Sequence, residues 1–354
     1  MKGILLHGGH GTRLRPLTHT GPKQLLPIAN KPMSQYCIES MKEAGVSEIA
    51  IILGGVGLNK VSEYYGTGEK FGVSITYIEQ DSPRGIAHAI SLCKNFIGNE
   101  KFLVFLGDNI IQKNIHDFAE NFLSSDDDAS ILLCEVENPS RFGVADMHDG
   151  KITKIMEKPK DPPTNFAVTG IYFLTPKIFD IIENLKPSWR NELEITDALQ
   201  ILLSKNHKIS YYIITDYWKD TGTPEDIINA NKAILENQKS NFNQDEYSHV
   251  SINGIVIIGK GTKIIGNSKI DGPVILGENC IIENTNIGPN SSIGNNSKLQ
   301  NCAIKDSIIM ENCIITSPIK ISNSIISTNS EITMENNESE EKIFILGEGT
   351  KIIL

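Results

Sequence analysis

Residues 252–288 read INGIVIIGKGTKIIGNSKIDGPVILGENCIIENTNIG. An aliphatic residue recurs at every sixth position, often with a glycine directly after it: Ile252, Ile258, Ile264, Ile270, Leu276 and Ile282. A period of six fits neither a helix nor a simple hairpin, whereas each side of a parallel β-helix contributes one inward aliphatic residue. A strand-rich sandwich with coincidental spacing is the alternative. Because so many positions share one period, the stretch predicts a parallel β-helix.

The same period continues toward the C-terminal end, with a slip of one residue before each of Ile287, Ile304 and Ile309. Its later positions are Ile287, Ile293, Leu299, Ile304, Ile309, Ile315, Ile321, Leu346 and Ile352. Residues 333–342 carry four glutamates and interrupt the pattern, so we expect an acidic surface loop there. We therefore assign residues 250–354 to a β-helix domain.

Residues 1–237 follow a different pattern, and the polar stretch 238–249 is expected to be a linker. Short apolar runs alternate with segments of helical period. The runs predict strands at residues 49–53, 101–106, 131–134 and 209–215, and Pro32 to Gly45 predicts a helix with Gly45 as its stop signal. This βαβ rhythm predicts an α/β domain with a mostly parallel sheet.

Composition limits the classes of function. The 354 residues carry a net charge of −10, which argues against nucleic acid as a partner. Six cysteines without CxxC spacing predict reduced core thiols in a cytoplasmic protein rather than a disulfide framework. No charged leader and no apolar stretch near 18 residues is present, so we expect neither secretion nor membrane insertion.

A glycine-rich loop follows the first predicted strand and reads Gly8-Gly9-His10-Gly11-Thr12-Arg13. Bare backbone N–H groups in such a loop can approach phosphate oxygens closely. The loop is not a P-loop, because no Gly-Lys-Ser/Thr closes it, and it lacks the third glycine of a dinucleotide fingerprint. All five arginines lie in the first half of the chain, which fits phosphate or carboxylate contacts, although codon bias is the alternative.

The motifs around this loop resemble the signature of sugar-1-phosphate nucleotidyltransferases. They occur in order through nearly the whole first half: Gly8-Gly9-x-Gly11-Thr12-Arg13-Leu14, Pro22-Lys23-Gln24-Leu25, Gln80-x-x-Pro83-x-Gly85, Leu106-Gly107-Asp108-Asn109, Phe142-Gly143, Glu157-Lys158-Pro159, Val168-Thr169-Gly170, Arg190-x-Glu192-Leu193-Glu194-Ile195-Thr196-Asp197 and Trp218-x-Asp220-Thr221-Gly222. The Lys23-Gln24 pair is similar to the glucose-1-phosphate thymidylyltransferase branch, and the hexapeptide tail is similar to its long form. The resemblance implies a Rossmann-like, mixed, mostly parallel sheet followed by a left-handed parallel β-helix. His7 and His10 depart from the family, which usually has small residues there.

The chemistry of this family is attack by a sugar phosphate oxygen on the α-phosphorus of a nucleoside triphosphate. Such a reaction depends on positioning and charge neutralisation rather than on a covalent intermediate. Arg13 and Lys23 are the expected catalytic cations, and Asp108 and Asp220 the expected ligands of Mg²⁺. A turn residue is the alternative interpretation of each aspartate.

The resemblance also implies two groups of binding residues. The nucleotide would be bound by Gly8, Gly9, Gly11, Thr12, Arg13, Gln24, Gln80, Pro83 and Gly85. The sugar phosphate would be bound by Gly143, Glu157, Lys158, Val168 and Arg190. A solvated charge at a strand end is the alternative for Glu157.

We expect dTTP, or more weakly UTP, to react with glucose 1-phosphate. Three alternatives stay open: a UTP-specific enzyme, a bifunctional enzyme that also acetylates amino sugars, and a regulatory subunit. No histidine lies within residues 250–354, although acyl transfer commonly uses a histidine base. We therefore expect the repeats to mediate a homo-oligomer and to take no part in the chemistry, so a chain ending near Asn237 would keep some activity.

Overall fold

The computed structural model describes residues 1–9, 11–242, 247, 250–333 and 341–353. The chain divides into two compact units. The sheet unit consists of Met1–His10 and Ser34–Asp220, and the β-helix unit consists of Gly11–Met33 and Thr221–Leu354. The short segment Gly11–Met33 thus groups with the C-terminal part of the chain, although its motifs belong to the first half. Half of the predicted linker and the centre of the acidic stretch lie outside the described residues.

Thirteen strands lie among the described residues before residue 221. They are β1 Lys2–His7, β2 Pro27–Ile28, β3 Lys31–Pro32, β4 Glu48–Leu53, β5 Ser74–Glu79, β6 Phe102–Leu106, β7 Asn109–Ile111, β8 Ala129–Glu135, β9 Gly143–His148, β10 Lys151–Glu157, β11 Phe166–Leu174, β12 Ile209–Ile214 and β13 Trp218–Asp220. Each of the four strands predicted from apolar runs is confirmed, as β4, β6, β8 and β12.

The sheet unit is built on one mixed sheet of nine strands. Its order is β10-β9-β11-β6-β1-β4-β5, with β8 between β11 and β12. Strands β6, β1, β4 and β5 are parallel neighbours and β12 is parallel to β8, whereas β10 and β11 run against their neighbours. The mostly parallel, Rossmann-like sheet expected from the sequence is confirmed. The carboxyl ends of its parallel strands are where ligands bind in such folds.

Eight α-helices lie within the described residues: α1 Met33–Glu43, α2 Leu58–Tyr65, α3 Ile86–Ser91, α4 Lys94–Ile97, α5 His116–Ser124, α6 Lys177–Ile182, α7 Ile195–Ser204 and α8 Pro224–Glu236. Helix α1 matches the predicted helix and buries Cys37 and Met41 completely. Helix α8 begins at a proline, and the Thr223 hydroxyl accepts a hydrogen bond from the backbone N–H of Asp226 at 3.2 Å. This is the N-cap that the sequence Thr-Pro-Glu-Asp favours.

The C-terminal region forms a parallel β-helix. Its strands are β14 Ser251–Asn253, β15 Val256–Ile258, β16 Lys263–Ile265, β17 Lys269–Asp271, β18 Val274–Leu276, β19 Ile281–Glu283, β20 Asn286–Ile287, β21 Ser291–Ile293, β22 Lys298–Gln300, β23 Ala303–Lys305, β24 Ile308–Ile309, β25 Ile314–Thr316, β26 Lys320–Ser322, β27 Ile325–Ile326, β28 Glu331–Thr333, β29 Glu341–Lys342, β30 Ile345–Leu346 and β31 Lys351–Ile353. They form three parallel sheets of six strands each. This is the parallel β-helix that the hexapeptide period predicts, and it is the arrangement expected of the left-handed β-helix that the family resemblance implies.

The aliphatic residues of the period fill the β-helix core. Ile264, Ile282 and Leu299 lie opposite one another in successive coils and are at most 2% exposed. Asparagines turn the corners of the coils, since Asn296 and Asn312 both adopt a positive φ of 57°, which asparagine tolerates better than most residues. Their side chains also form a ladder, with Asn296 Nδ2 donating to Asn312 Oδ1 at 3.2 Å. The asparagine-rich composition therefore has a structural cause.

Within the β-helix unit, one buried amide joins the hairpin β2–β3 to the β-helix. Asn231, on α8, accepts hydrogen bonds at Oδ1 from the Ala29 N–H at 2.8 Å and from the Ser292 hydroxyl at 2.7 Å. Its Nδ2 donates to the Asn290 carbonyl at 3.0 Å. Asn30 adds a second bond, from its Nδ2 to the Ile293 carbonyl at 2.6 Å. This set of bonds, here called the Asn231 clamp, attaches the segment Gly11–Met33 to the third coil.

Two further expectations concern the cysteines and membranes. All six cysteines lie within the described residues and are free thiols, as predicted from their spacing. Within the described residues, no helix combines the length and apolarity needed to cross a bilayer.

Candidate active site

The two predicted metal ligands lie at neighbouring positions of a small antiparallel ladder. Strand β13 pairs with β7 so that Asp220 stands opposite Asn109, and Asp108 is the residue before Asn109. Asn109 is 2% exposed and donates from Nδ2 to Asp108 Oδ1 at 3.0 Å. Its Oδ1 accepts a hydrogen bond from the Trp218 indole at 2.8 Å. The structure therefore places the two aspartates at neighbouring backbone positions, just beyond the carboxyl end of β6.

The donor set decides which metal fits. Among the described residues, no three side chains of His, Cys, Asp or Glu cluster as a closed metal cage. Mg²⁺ is usually held by one or two carboxylates together with substrate phosphates and water. A pair such as Asp108 and Asp220 fits that ion when a triphosphate supplies further oxygens.

His7, at the end of β1, is buried and neutral. Its side chain is 1% exposed, and neither ring nitrogen has a hydrogen-bond partner in the part of the chain that the structure describes. Burial lowers the pKa of His7 to about 3, and the nearby Asp108 only partly opposes this shift. The ring meets Tyr65 edge-on, with centroids 6.1 Å apart. His7 thus supplies bulk rather than charge at the start of the glycine-rich loop, while His10 lies outside the described residues.

At the start of the loop, the lack of a side chain on glycine leaves room for the Gln80 side chain. A Cβ added to Gly8 would lie 3.2 Å from Gln80 Oε1, and one added to Gly54 would lie 3.6 Å from the same atom. Gly9 has a φ of +101°, and an added Cβ would meet open space. Gly85 also has a φ of +101°, and an added Cβ would lie 2.5 Å from the Leu193 carbonyl oxygen, so only glycine fits.

These contacts bring three of the predicted nucleotide-binding residues together. Gln80 Nε2 approaches the Gly85 carbonyl at 3.5 Å, and Gln80 Oε1 lies over Gly8. Pro83, in the same loop, is exposed, and the structure shows no contact that assigns it a role.

The remainder of the loop belongs to the β-helix unit. Gly11 has a φ of +57°, and the Thr18 hydroxyl donates to its carbonyl at 2.8 Å. An added Cβ on Gly11 would lie 3.4 Å from Lys23 Cβ, so the lysine stem passes close to this glycine. The Arg13 guanidinium lies against Gly222, where an added Cβ would be 2.9 Å from Nη2. The structure therefore brings Gly11 and Lys23 together, with Thr12 and Arg13 exposed and Gln24 buried.

The predicted sugar-binding residues converge in the sheet unit. Gly143 pairs with Glu157 across β9 and β10. A Cβ added to Gly143 would lie 3.5 Å from Glu157 Oε2, 3.6 Å from Val168 Cβ and 2.5 Å from Thr196 Cγ2. The Thr196 hydroxyl donates to Glu157 Oε2 at 2.9 Å and so orients this carboxylate. Gly143 is itself buried, and the methyl group of Thr196 leaves no room for a side chain at this position.

Arg190 and Lys158, the predicted phosphate-binding cations, meet carboxylates here. Arg190 Nη1 lies 3.2 Å from both Glu157 and Glu194, and Nη2 lies 3.0 Å from Glu192. Lys158 Nζ is 3.5 Å from Glu157. Burial raises the pKa of Glu194, and the neighbouring Glu157 raises it further. The planar guanidinium of Arg190 can bind either a carboxylate or a phosphate through two parallel N–H groups. A phosphate dianion would therefore compete with these carboxylates for it.

Several contributing residues were not assigned a role from the sequence. Glu192, Glu194 and Thr196 lie inside a motif that the sequence analysis recognised. The motif indicates that these residues belong to the site, but it does not indicate which side chains they contact. His88 is different. It hydrogen-bonds Gln80 from helix α3, and no pattern in the sequence indicates that contact.

Comparisons with known proteins agree with this geometry. The Nucleotidyl transferase family model matches residues 2–237. The chain is 52% identical over 239 residues to the "Low-salt glycan biosynthesis nucleotidyltransferase Agl11" of Haloferax volcanii, covering 67% of each chain. It is 41% identical over 279 residues to a glucose-1-phosphate thymidylyltransferase of Streptomyces antibioticus, covering 78% of each.

A solved structure is similar as well. The crystal structure of a proposed glucose-1-phosphate thymidylyltransferase from Bacillus anthracis, in complex with a sucrose, matches with a TM-score of 0.64 and 42% identity, over 69% of this chain and 97% of that one. The family model alone spans more than half of the sequence, and the site contains the residues that the motifs require. The chain therefore belongs to the nucleotidyl transferase family, in the branch of sugar-1-phosphate nucleotidyltransferases that its motifs resemble.

Proposed function

We propose that this chain is a glucose-1-phosphate thymidylyltransferase, which converts dTTP and glucose 1-phosphate into dTDP-glucose and pyrophosphate. The observation that carries the proposal is the match to the thymidylyltransferase of Streptomyces antibioticus, which extends over 78% of both chains. The Lys23-Gln24 pair supports the same branch of the family. UTP is the alternative nucleotide.

In the sheet unit, the proposed roles follow from the contacts. Glu157, oriented by Thr196, accepts hydrogen bonds from sugar hydroxyls, and Gly143 and Val168 lie beside this carboxylate. Arg190 and Lys158 bind the sugar phosphate after exchanging their carboxylate partners for it. Gln80 contacts the pyrimidine. These residues position the nucleophile, which is where most of the rate enhancement of phosphoryl transfer arises.

The charge that develops on the leaving pyrophosphate needs neutralisation. Asp108 and Asp220 would hold Mg²⁺, which would supply positive charge to neutralise the phosphates. We assign Arg13 and Lys23 to the triphosphate, with Thr12 and the backbone of Gly8, Gly9 and Gly11. Together these residues would neutralise the negative charge of the triphosphate and of the leaving pyrophosphate.

A substrate matrix tests the proposed function. Purified chain with Mg²⁺ is incubated with each of dTTP, UTP, CTP and GTP against glucose 1-phosphate, galactose 1-phosphate and N-acetylglucosamine 1-phosphate. The expected result is pyrophosphate release greatest with dTTP and glucose 1-phosphate. Absence of release with both dTTP and UTP for every sugar would refute it, and acetylation of an amino-sugar phosphate from acetyl-CoA would establish the bifunctional alternative.

We further propose that the β-helix mediates a homo-oligomer. Its three sheets each end in a strand whose backbone groups can pair further, and oligomerisation is the usual way to cover such ends. The molar mass in solution of the full chain, compared with that of a chain ending at Asn237, tests this. An unchanged assembly after truncation would contradict it.

A further inference from the structure

His88 lies directly behind Gln80, the residue proposed to contact the pyrimidine. It belongs to helix α3, which begins one residue after Gly85, and its side chain is 7% exposed. Its Nδ1 is 2.9 Å from Gln80 Nε2, which is a typical donor–acceptor distance for a hydrogen bond. Gln80 itself is 9% exposed, so most of its amide environment is protein.

The partners of the Gln80 amide determine which way the amide faces. A backbone carbonyl can only accept, and the Gly85 carbonyl lies 3.5 Å from Gln80 Nε2, on the same side as His88. The amide nitrogen must therefore face this side, because the amide oxygen would be repelled by the carbonyl. It follows that His88 accepts at Nδ1 and carries its proton on Nε2.

The neutral state of His88 supports this assignment. Burial lowers the pKa of His88, and the neighbouring Arg84 lowers it further, while Asp81 opposes both. A neutral imidazole offers one donor and one acceptor nitrogen, and here the acceptor is used by Gln80.

The opposite end of the amide, Oε1, is left available as an acceptor. Gln80 Oε1 lies over Gly8 and Gly54, which have no side chains to cover it. No hydrogen-bond donor to Oε1 is found among the residues that the structure describes. The site therefore presents a hydrogen-bond acceptor, and not a donor, beside the glycine-rich loop.

We infer that His88 is a positioning residue for base selection, which fixes the Gln80 amide so that Oε1 accepts from the N3–H of thymine or uracil and rejects cytosine. Cytosine carries a lone pair at N3, where the other two bases carry a proton. A site built to accept a hydrogen bond discriminates strongly against a ligand that lacks the donor. This inference rests on the proposed function, because it takes Gln80 to contact the base.

Two variants separate positioning from simple packing. His88→Leu removes the acceptor while keeping an apolar side chain of moderate size, and His88→Asn retains an oxygen near the position of Nδ1. The measurement is the ratio of kcat/KM for dUTP to that for dCTP, which differ only at the base edge. This ratio is independent of the fraction of enzyme that is folded. We expect a ratio of about one hundred for the wild type, a roughly tenfold loss in His88→Leu, and recovery of most of it in His88→Asn.

Measurements on the wild type test the hydrogen bond from the base N3–H without relying on any variant. A dTTP analogue methylated at N3 should react at least about tenfold less efficiently than dTTP, and dUDP should bind more tightly than dCDP in calorimetry. Equal use of dUTP and dCTP, or an unchanged ratio in soluble His88→Leu, would overturn the inference. If no nucleotide were transferred at all, the proposed function would fail, and the preference for binding dUDP over dCDP, compared between the wild type and His88→Leu, would still decide the role of His88.

Discussion

The two units use their buried polar side chains differently. In the β-helix unit, hydroxyls bond to the backbone of the next coil: Ser268 accepts from the Thr285 N–H at 3.2 Å, and Ser297 accepts from the Cys313 N–H at 3.2 Å. In the sheet unit, buried polar groups such as Asn109 and Thr196 instead hold side chains of the candidate site. The β-helix therefore satisfies its polar groups by repetition, whereas the contacts of Asn109 and Thr196 in the sheet unit each occur once and orient a residue of the candidate site.

This contrast predicts that loss of a carboxylate has its largest effect in the sheet unit. Asp108→Asn and Asp220→Asn should each lower kcat by about a thousandfold, because each removes an anionic oxygen from a cation that neutralises the phosphates. Turnover measured against Mg²⁺ concentration, with circular dichroism as the check on folding, tests this. Asp271→Asn is the matched control, since Asp271 lies on β17 in the β-helix and contacts only Lys269 and Asn253. Wild-type turnover in both sheet-unit variants would contradict the metal assignment.

The β-helix should respond in stability rather than in turnover. Ile282→Ala removes a fully buried side chain from the core and should lower the free energy of unfolding by about 3 kcal/mol. Its neighbour Ile281 points outward and is 38% exposed, so Ile281→Ala should cost far less. Denaturant unfolding of both variants gives the comparison. A lower kcat in folded Ile282→Ala would show that the β-helix core takes part in the reaction.

Loss of the Asn231 clamp should affect both the stability of the protein and its use of substrate. Asn231→Ala removes three buried hydrogen bonds and should cost about 2 kcal/mol of stability. Because the clamp holds the segment that carries Arg13 and Lys23, the KM for the nucleotide should also rise, with the KM for glucose 1-phosphate unchanged. Asn237→Ala, an exposed asparagine bonded within its own helix, is the control. Equal changes in both KM values would indicate a general loss of structure instead.

The smallest effect concerns a carboxylate of the sheet unit that serves folding alone. Burial by itself would raise the pKa of Asp128, but hydrogen bonds from Lys177 and His207 outweigh it, so the pKa is lowered. Its stabilisation is therefore complete above the pKa of unfolded aspartate, about 4, and is lost as the pH falls through the folded-state value. Asp128→Asn should cost about 1 kcal/mol at pH 6. Unfolding curves between pH 6 and pH 3 should show this difference disappearing, and a constant difference would exclude the mechanism.

The sequence predicts repeated features better than single ones, for a physical reason. An inward aliphatic such as Ile264 or Ile282 recurs at a fixed spacing because each coil faces the same core, so the period alone indicates the fold. The motifs likewise identified Gly143, Glu157 and Val168, which the structure brings together.

Contacts that occur once leave no such pattern. The bond between Gln80 and His88 and the Asn231 clamp each depend on one amide that is placed by tertiary packing. The grouping of Gly11–Met33 with the β-helix unit rests on contacts to residues more than 200 positions away, as between Ala29 and Asn231. The Arg190 contacts with three glutamates likewise required the folded chain, because the sequence shows the charges but not their pairing.

In the proposed reaction, a phosphate oxygen of glucose 1-phosphate attacks the α-phosphorus of dTTP. It is tested most directly by supplying glucose 1-phosphate whose phosphate oxygens carry ¹⁸O, together with unlabelled dTTP and Mg²⁺, and weighing both products by mass spectrometry. We expect dTDP-glucose that retains every labelled oxygen, together with an equal amount of unlabelled pyrophosphate. Failure to form a nucleotide sugar, or the appearance of ¹⁸O in pyrophosphate, would contradict it.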